Sequence, residues 1–352
     1  MASTTMLAGR FDLTTGKFGM ETVPIPEPGP GEVRLKVEAA GICLSDVHII
    51  DGTLRLKARD GFTSVTLGHE VAGVIDRVGE GVSLWKIGQR VILYAGQSCG
   101  KCPPCLTGAC GCLRPLTRGV DYDGGWAEYA LARQDTVALA PEELPVEQAA
   151  ILPDAVSTPY AALLETAGLR AAESVGLWGI GGLGAHAVQL ARLMGAAPIL
   201  AFDLLPEARE RALAFGADAA LDPRQENLRE EVRRLTGGLG LDVALDLAGV
   251  AAARAQAQSV LAPRGRLVLV GMTPEPLSVA KNSIPFCTMM HQVRGHYGYT
   301  LGHLLQLVKL TRLRRLDLSR SISAVLPLAD APLGVEKLAN KDGNPIRLIL
   351  KP

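Results

Sequence analysis

The chain has 352 residues, 48% of them hydrophobic and 20% charged, and its 36 basic and 36 acidic residues cancel. That length exceeds one ordinary core and predicts two domains, while the lack of any long block of one charge argues against a nucleic-acid or anionic-membrane surface. No apolar run approaches the ~18 residues of a membrane span, and the opening MASTTMLAGRFDL lacks the regions of a signal peptide, so the expectation is a cytoplasmic protein with a small-molecule substrate.

Residues 1–150 read as β-rich. EVRLKVEAAG alternates Val33, Leu35 and Val37, and EVAGVIDRVG, RVILYAG, WAEYALA and TVALAP add further apolar runs. Glycines and prolines punctuate them, as in PIPEPGPGE, which predicts short strands and tight turns. Within this half, AAGICLSDVHIIDG (residues 39–52) sets Cys43, Ser45, Asp46 and His48 close together. A buried core would not take four polar groups without partners. The segment is therefore either a solvated loop or part of a site. Farther on, LGHEVAGVIDRVGEGV carries His69 and Glu70; one histidine before a strand has a role only through what meets it.

Five of the seven cysteines fall in residues 99–112. Cys99, Cys102 and Cys105 repeat as C-x2-C-x2-C, and Cys112 or Cys110 is available as a fourth. In a reducing compartment thiols stay unpaired. Four thiolates in one turn-rich loop suit a structural zinc with Zn–S distances of ~2.3 Å; the alternative is a surface loop of redox-active thiols.

LPVEQAAILPDAVSTPYAALLETAGL is mostly helical, with an interruption at Pro153. From Ser174 the pattern alternates: SVGLW, PILAF, LDVALDLAG and GRLVLVGM read as strands, LGAHAVQLARLMG and PEARERALAFG as helices. That alternation predicts an α/β fold with a doubly wound parallel sheet. GIGGLG follows the first strand and opens a helix, with Gly179, Gly181 and Gly184 matching G-x-G-x-x-G and Gly182 and Leu183 between them. Such glycines permit a tight turn, backbone approach to a pyrophosphate and close helix–strand packing. The helix N-terminus then presents unpaired N–H groups to phosphate. Asp203, nineteen residues after Gly184, ends the next strand, where a carboxylate accepts from ribose hydroxyls and favours NAD over NADP. The last stretch holds a helix, LGHLLQLVKLTRL, and the strand-like PIRLILKP.

Together these motifs carry a resemblance. Residues 68–82 match G-H-E-x2-G-x5-G-x2-V without a gap. With Cys43, the thiol loop and GIGGLG, the chain resembles the zinc-dependent alcohol dehydrogenases of the medium-chain dehydrogenase/reductase superfamily. The resemblance implies a discontinuous GroES-like catalytic domain (1–154 and 296–352) and a Rossmann domain (155–295) with the active site in the cleft between them. It implies two zinc ions and NAD per chain. The catalytic zinc ligands map onto Cys43, His69 and Asp154, with Glu70 as an alternate ligand; Asp154 alone would otherwise read as a helix cap. Ser45 and His48 map onto a proton relay, and Asp46 onto the carboxylate that orients His69. Thr158 and the stretches 247–249 and 270–272, through Val270 and Met272, map onto cofactor contacts. Arg347 resembles the partner of Glu70 and is grouped with the cofactor-contacting positions. Leu54, Trp126 and Tyr94 fall where members line a substrate pocket, and each reads equally well as ordinary core. A homo-oligomer, dimer or tetramer, is also implied.

Three departures stand out. The family's fourth zinc-loop cysteine would fall on Leu113, so Cys112 implies a one-residue deletion. Leu44 stands where some members carry a basic residue, and Asp154 where cysteine is commoner. The resulting expectation is an NAD-linked oxidoreductase interconverting an alcohol, preferably secondary, with its ketone or aldehyde. The rivals are a sorbitol- or threonine-type dehydrogenase on the same scaffold, a zinc-free reductase, and a non-catalytic cofactor-binding protein. No role is assigned to His186, His291, His296 or His303, and Cys287 reads as a small apolar residue.

Overall fold

The computed structural model describes residues 4–58, 61–107, 112–278 and 283–352. Their backbone forms two compact units, one of residues 1–155 with 300–352 and one of residues 156–299.

The strand Glu32–Ile42 organises the first unit. Val33, Leu35 and Val37 alternate with its polar residues and are buried, as the period-2 pattern requires. It pairs antiparallel with Val71–Val78 on one side and with Tyr129–Arg133 and Arg347–Lys351 on the other. Arg347–Lys351 in turn lies parallel to Ile322–Pro327, so the C-terminal strand completes a sheet begun at the other end of the chain. Phe11, Leu35, Ile42, Ile75, Trp126 and Leu348 contribute to one core. A separate three-stranded sheet joins Lys17–Pro24, Thr5–Asp12 and Ser64–Thr66.

The segment around Cys43 is not a loop. Leu44–Ile50 is a short helix with Cys43 as its N-cap. The Cys43 N–H donates to Asp46 Oδ2 at 2.9 Å, while the Cys43 side chain takes the Asp46 N–H. This reciprocal cap satisfies two orphan donors of the first turn, which explains how a polar cluster nucleates helix here.

The second unit is the expected doubly wound sheet. Six parallel strands run in the order Ala219–Leu221, Ile199–Phe202, Val175–Trp178, Leu241–Asp246, Leu261–Leu269, Gln292–Gly295. The order reverses at Val175–Trp178, so the ends of that strand and its neighbours open a crevice suited to a dinucleotide. Trp178 stacks on Phe202 with ring centroids 3.9 Å apart. No helix among the described residues is long and apolar enough to cross a membrane.

Candidate metal and cofactor sites

The ends of three neighbouring strands meet at one end of the first unit's sheet. Ala40 pairs with Val71 and Ile42 with Leu348, so the residues just beyond them gather: Cys43, His69 with Glu70, and Arg347. Asp154 arrives from the helical passage after Val146–Ala150, a helix that packs on strands Glu32–Ile42 and Val71–Val78. The helical path breaks at Pro153 (φ −63°, ψ 134°) and Asp154 (φ 67°, ψ −75°). Proline removes a helix donor and forces its neighbours out of register. Asp154 then adopts the γ-turn geometry with positive φ, which is rare and strained for a residue with a side chain.

That strained turn aims the carboxylate inward. Asp154 Oδ2 lies 3.1 Å from Cys43 Sγ and 3.4 Å from His69 Nε2. The three ligand atoms all lie within 4.8 Å of one another. Asp154 does not cap the helix Ser157–Ala161: Val156 holds the cap position, with no side-chain cap bond.

Around the trio stands a set of supports. Asp46, fully buried, places Oδ1 3.5 Å from His69 Nδ1. Ser45 Oγ donates to Cys43 Sγ at 3.1 Å. His48, half-buried, follows one turn later on the same helix face as Ser45. Glu70 Oε1 accepts the Ala155 N–H at 3.0 Å and faces Arg347 Nη2 at 3.1 Å. Arg347 also donates to the Ile42 carbonyl at 3.2 Å and stands 3.9 Å from Asp154 Oδ2. Gly41 makes room for Glu70, since a Cβ there would stand 1.9 Å from Glu70 Oε2.

The electrostatics follow from burial and proximity. Burial, then the Asp154 charge, pushes the Cys43 thiol up, against Arg347 and His69. Burial works to lower His69, but the Asp46 charge and the bond to Asp154 prevail and raise it well above its usual value. Burial likewise opposes ionisation of Asp154, yet the hydrogen bond and charge of His69 hold it well below the carboxylate range. Burial pushes Glu70 up to about 8, with Arg347 opposing. On their own, these groups retain protons on Cys43 and His69, the protons that a divalent cation displaces on binding. A sulfur, a ring nitrogen and a carboxylate oxygen at this spacing form a donor set that suits zinc and leaves a fourth position open.

The second cluster is local. Cys102 Sγ lies 3.4 Å from Cys105 Sγ and 3.9 Å from Cys112 Sγ, and Cys99 Sγ lies 4.0 Å from Cys105 Sγ. All four ligand atoms lie within 4.8 Å of one another. Backbone N–H groups of Lys101 and Cys102 lower the Cys99 thiol to about 6, while its bond to Cys102 raises Cys105 to about 11. Cys112 joins this cluster; Cys110 lies outside the described residues.

In the second unit the glycine loop has the form its sequence implies. Gly179 has φ 90°, and a Cβ on Gly184 would stand 1.9 Å from the Gly179 carbonyl oxygen. A Cβ on Gly181 would meet nothing within 4 Å, so that face of the loop is open. The helix Gly182–Leu193 starts there and includes Leu183 and Gly184. Asp203 Oδ2 accepts the Ile180 N–H of this loop at 2.7 Å and Oδ1 accepts the Leu205 N–H at 2.9 Å. A cradle of this shape suits a dinucleotide pyrophosphate.

Residues 29–142 match the family described as alcohol dehydrogenase GroES-like domain, and residues 182–311 match zinc-binding dehydrogenase. An alcohol dehydrogenase of Rhizobium meliloti (strain 1021) is 39% identical over 259 residues, covering 72% of this chain and 74% of the relative. The chain belongs to the zinc-dependent alcohol dehydrogenases of the medium-chain superfamily. It is an oxidoreductase. An L-threonine 3-dehydrogenase of Pyrococcus abyssi (strain GE5 / Orsay) is 34% identical over 309 residues, with 84% of this chain and 87% of the relative covered. Among solved structures, a zinc-binding dehydrogenase of Sinorhizobium meliloti 1021 bound to NADP superposes with a TM-score of 0.89 at 28% identity, covering 99% of this chain and 100% of the other.

Against that family frame, the remaining residues take their places. Thr158 is buried in Ser157–Ala161, and Val270 and Met272 follow the strand Leu261–Leu269. Gly271 packs there against Gly249, where a Cβ would stand 2.3 Å from the Gly249 nitrogen. Trp126 is core: fully buried, it donates from Nε1 to the Gly41 carbonyl at 2.9 Å. Cys287 is exposed rather than packed as an apolar residue. His186 is held at its own helix by the Gly182 carbonyl, and His303 caps a helix with Thr300. His296 was given no role by sequence, yet its Nε2 lies 3.1 Å from the Thr158 carbonyl and its Nδ1 2.7 Å from Thr166 Oγ1. It therefore braces the segment that carries Thr158. No local spacing signals this, because its partners lie more than a hundred residues away in the chain.

Proposed function

We propose that this chain is a zinc-dependent, NAD-linked dehydrogenase that interconverts a secondary alcohol and its ketone. The observation that carries the reading is the Cys43–His69–Asp154 trio, two of its residues buried and Asp154 partly so, with its ligand atoms within 4.8 Å of one another. In this reading residues 1–154 and 296–352 form the catalytic zinc-binding domain and 155–295 the NAD-binding domain. Cys43, His69 and Asp154 hold one zinc, and Cys99, Cys102, Cys105 and Cys112 hold a second, structural one. When bound, the catalytic zinc polarises the substrate oxygen as a Lewis acid and NAD carries the hydride.

The chain's own residues supply the rest. Asp46 holds His69 by Nδ1, which fixes the tautomer and leaves Nε2 for the metal. The Glu70–Arg347 pair buttresses the Asp154 turn, through the Ala155 N–H and the Asp154 carboxylate. Ser45 Oγ, beside Cys43 Sγ, takes the alcohol proton, and half-buried His48 passes it to solvent. The Gly179–Gly184 turn and the helix N-terminus receive the pyrophosphate, and Asp203 accepts from the ribose. Thr158, Val270 and Met272 flank the nicotinamide. The preference for a secondary alcohol draws support from Asp154 as third ligand and from L-threonine 3-dehydrogenase, whose named position bears a secondary hydroxyl.

A homo-oligomer in the cytoplasm completes the proposal. Gln292–Gly295 is an edge strand of its sheet, and exposed Met289, Met290 and Tyr297 flank it, an edge a second copy would cover. Among the described residues six cysteines stand without a disulfide, which suits a reducing compartment. The test is NADH formation from NAD with primary, secondary, cyclic and polyhydric alcohols and L-threonine, repeated with NADP and after zinc removal. Zinc-dependent turnover highest on secondary alcohols is expected. Threonine alone turning over would select the amino-alcohol reading, and cofactor binding without turnover of any alcohol would refute the proposal.

A further inference from the structure

The second unit holds a basic cavity that alcohol oxidation does not use. Arg266 pairs across the sheet with Gln292, and Arg294 lies two residues beyond Gln292, beside Val268. Strand alternation puts these three polar side chains on one face of the sheet. The chain leaving the helix end at Thr166 closes over that face: Arg294 Nη1 donates to the Thr166 carbonyl at 2.6 Å. Arg170 and Arg264 complete the lining of a cavity of about 340 Å³.

Four guanidinium groups around one cavity repel one another, so their balance matters. Glu173 places its Oε2 2.5 Å from Arg266 Nη2. Four guanidinium groups line the cavity, and Glu173 answers one of them. Arg266 Nε is buried without a partner. Arg294 is occupied by the Thr166 carbonyl and by Gln292 Oε1. Arg264 is held on left-handed backbone (φ 63°), uncommon for a long side chain, with its N–H bound to the Met289 carbonyl at 2.7 Å. Such an arrangement of guanidinium donors draws an anion.

The position separates this cavity from the nucleotide site. Gly179, Asp203 and Val270 all follow the C-terminal ends of their strands. Arg170 and Glu173 instead precede Val175–Trp178, and Gln292 opens its strand. The cavity therefore sits at the opposite end of the sheet. We propose that it binds a small phosphate-bearing anion, inorganic phosphate or a phosphomonoester. Guanidinium forks match paired phosphate oxygens, and the volume is at the low end of the ~300–1,000 Å³ range of small-molecule pockets.

The test uses the NADH-saturated holoenzyme, in which the glycine loop is already filled. Inorganic phosphate and glycerol phosphate are titrated by calorimetry against chloride at matched ionic strength. Saturable one-site binding is expected, and the tighter of the two identifies free phosphate or an ester as the source. Arg170 and Arg264 are exposed, so the Arg170→Gln/Arg264→Gln variant keeps its fold and weakens binding roughly tenfold or more. Glu173→Gln, by freeing Arg266, tightens it. Heat no greater than that of chloride, or equal binding by all variants, overturns the proposal. Phosphate binding is read without alcohol turnover, so its failure and the failure of the dehydrogenase reading are distinguishable.

Discussion

The two ligand clusters of the first unit are built in opposite ways. Cys99, Cys102, Cys105 and Cys112 come from one short surface loop, steadied by its own N–H groups. Cys43 and Asp154 lie 111 positions apart in the chain and meet only because strand register and a strained turn bring them together. One cluster is four like donors at fixed local spacing; the other is three unlike donors, braced by Asp46, Glu70 and Arg347. The lesson is that a structural site can be written locally, whereas a reactive site draws its asymmetry from the fold around it.

That contrast is open to direct attack. The largest expected effect is from Cys43→Ala, which should cut turnover by ~100-fold or more. Cys102→Ala should instead lower the melting temperature and leave measurable turnover at a temperature where the variant stays folded. Steady-state rates and thermal melts on both variants would break the comparison if the two behaved alike. Next comes Asp46→Asn, which keeps the shape but removes the charge facing His69; a loss of about 10–100-fold in zinc affinity or activity is expected. Zinc titration against a competing chelator would show it, and an unchanged affinity would strip Asp46 of its supporting role.

A smaller effect belongs to the second unit, where the site is again locally written. Asp203→Gly removes the carboxylate that takes the Ile180 N–H and that is proposed to accept from the ribose. The ratio of kcat/KM for NAD to that for NADP should fall toward one. An unchanged ratio would place the preference elsewhere.

The smallest effect is at Asp12, a solvated turn with no site. The Thr14 hydroxyl, then the Thr15 and Thr14 N–H groups, lower its carboxyl from 3.8 to about 2. A depressed folded-state value means stability that is present above pH 3.8 and lost as pH falls toward 2. Asp12→Asn should therefore lower neutral-pH stability slightly and flatten its decline between pH 3.8 and 2, as followed by circular dichroism. A steeper acid transition in the variant would reverse the assigned sign.

The same division explains what could be read from the chain alone. The helix Gly182–Leu193 and the strands Val175–Trp178 and Ile199–Phe202 are legible because their apolar runs alternate in type and are bounded by glycine or proline. The helix Leu228–Leu235 is not, since LREEVRRL buries only Leu228 and Val232. Nor is the edge strand Gln292–Gly295, whose residues are polar or only half-buried. The helix at Leu44–Ile50 was missed because its cap is a cysteine, outside the usual capping residues. At the sites, the thiol loop and the glycine turn could be read from spacing. Asp154, Glu70 and Arg347 were reachable only through resemblance to a family, because nothing local marks residues that three strands and a broken helix gather. His296 fell outside both routes.

The most direct test of the account is the zinc content per chain of the wild-type protein and of Asp154→Ala, with NADH formation measured on the same samples. The account predicts two zinc ions in the wild type, one for each cluster, and loss of one together with turnover in the variant. A variant that keeps both ions and full turnover would contradict it.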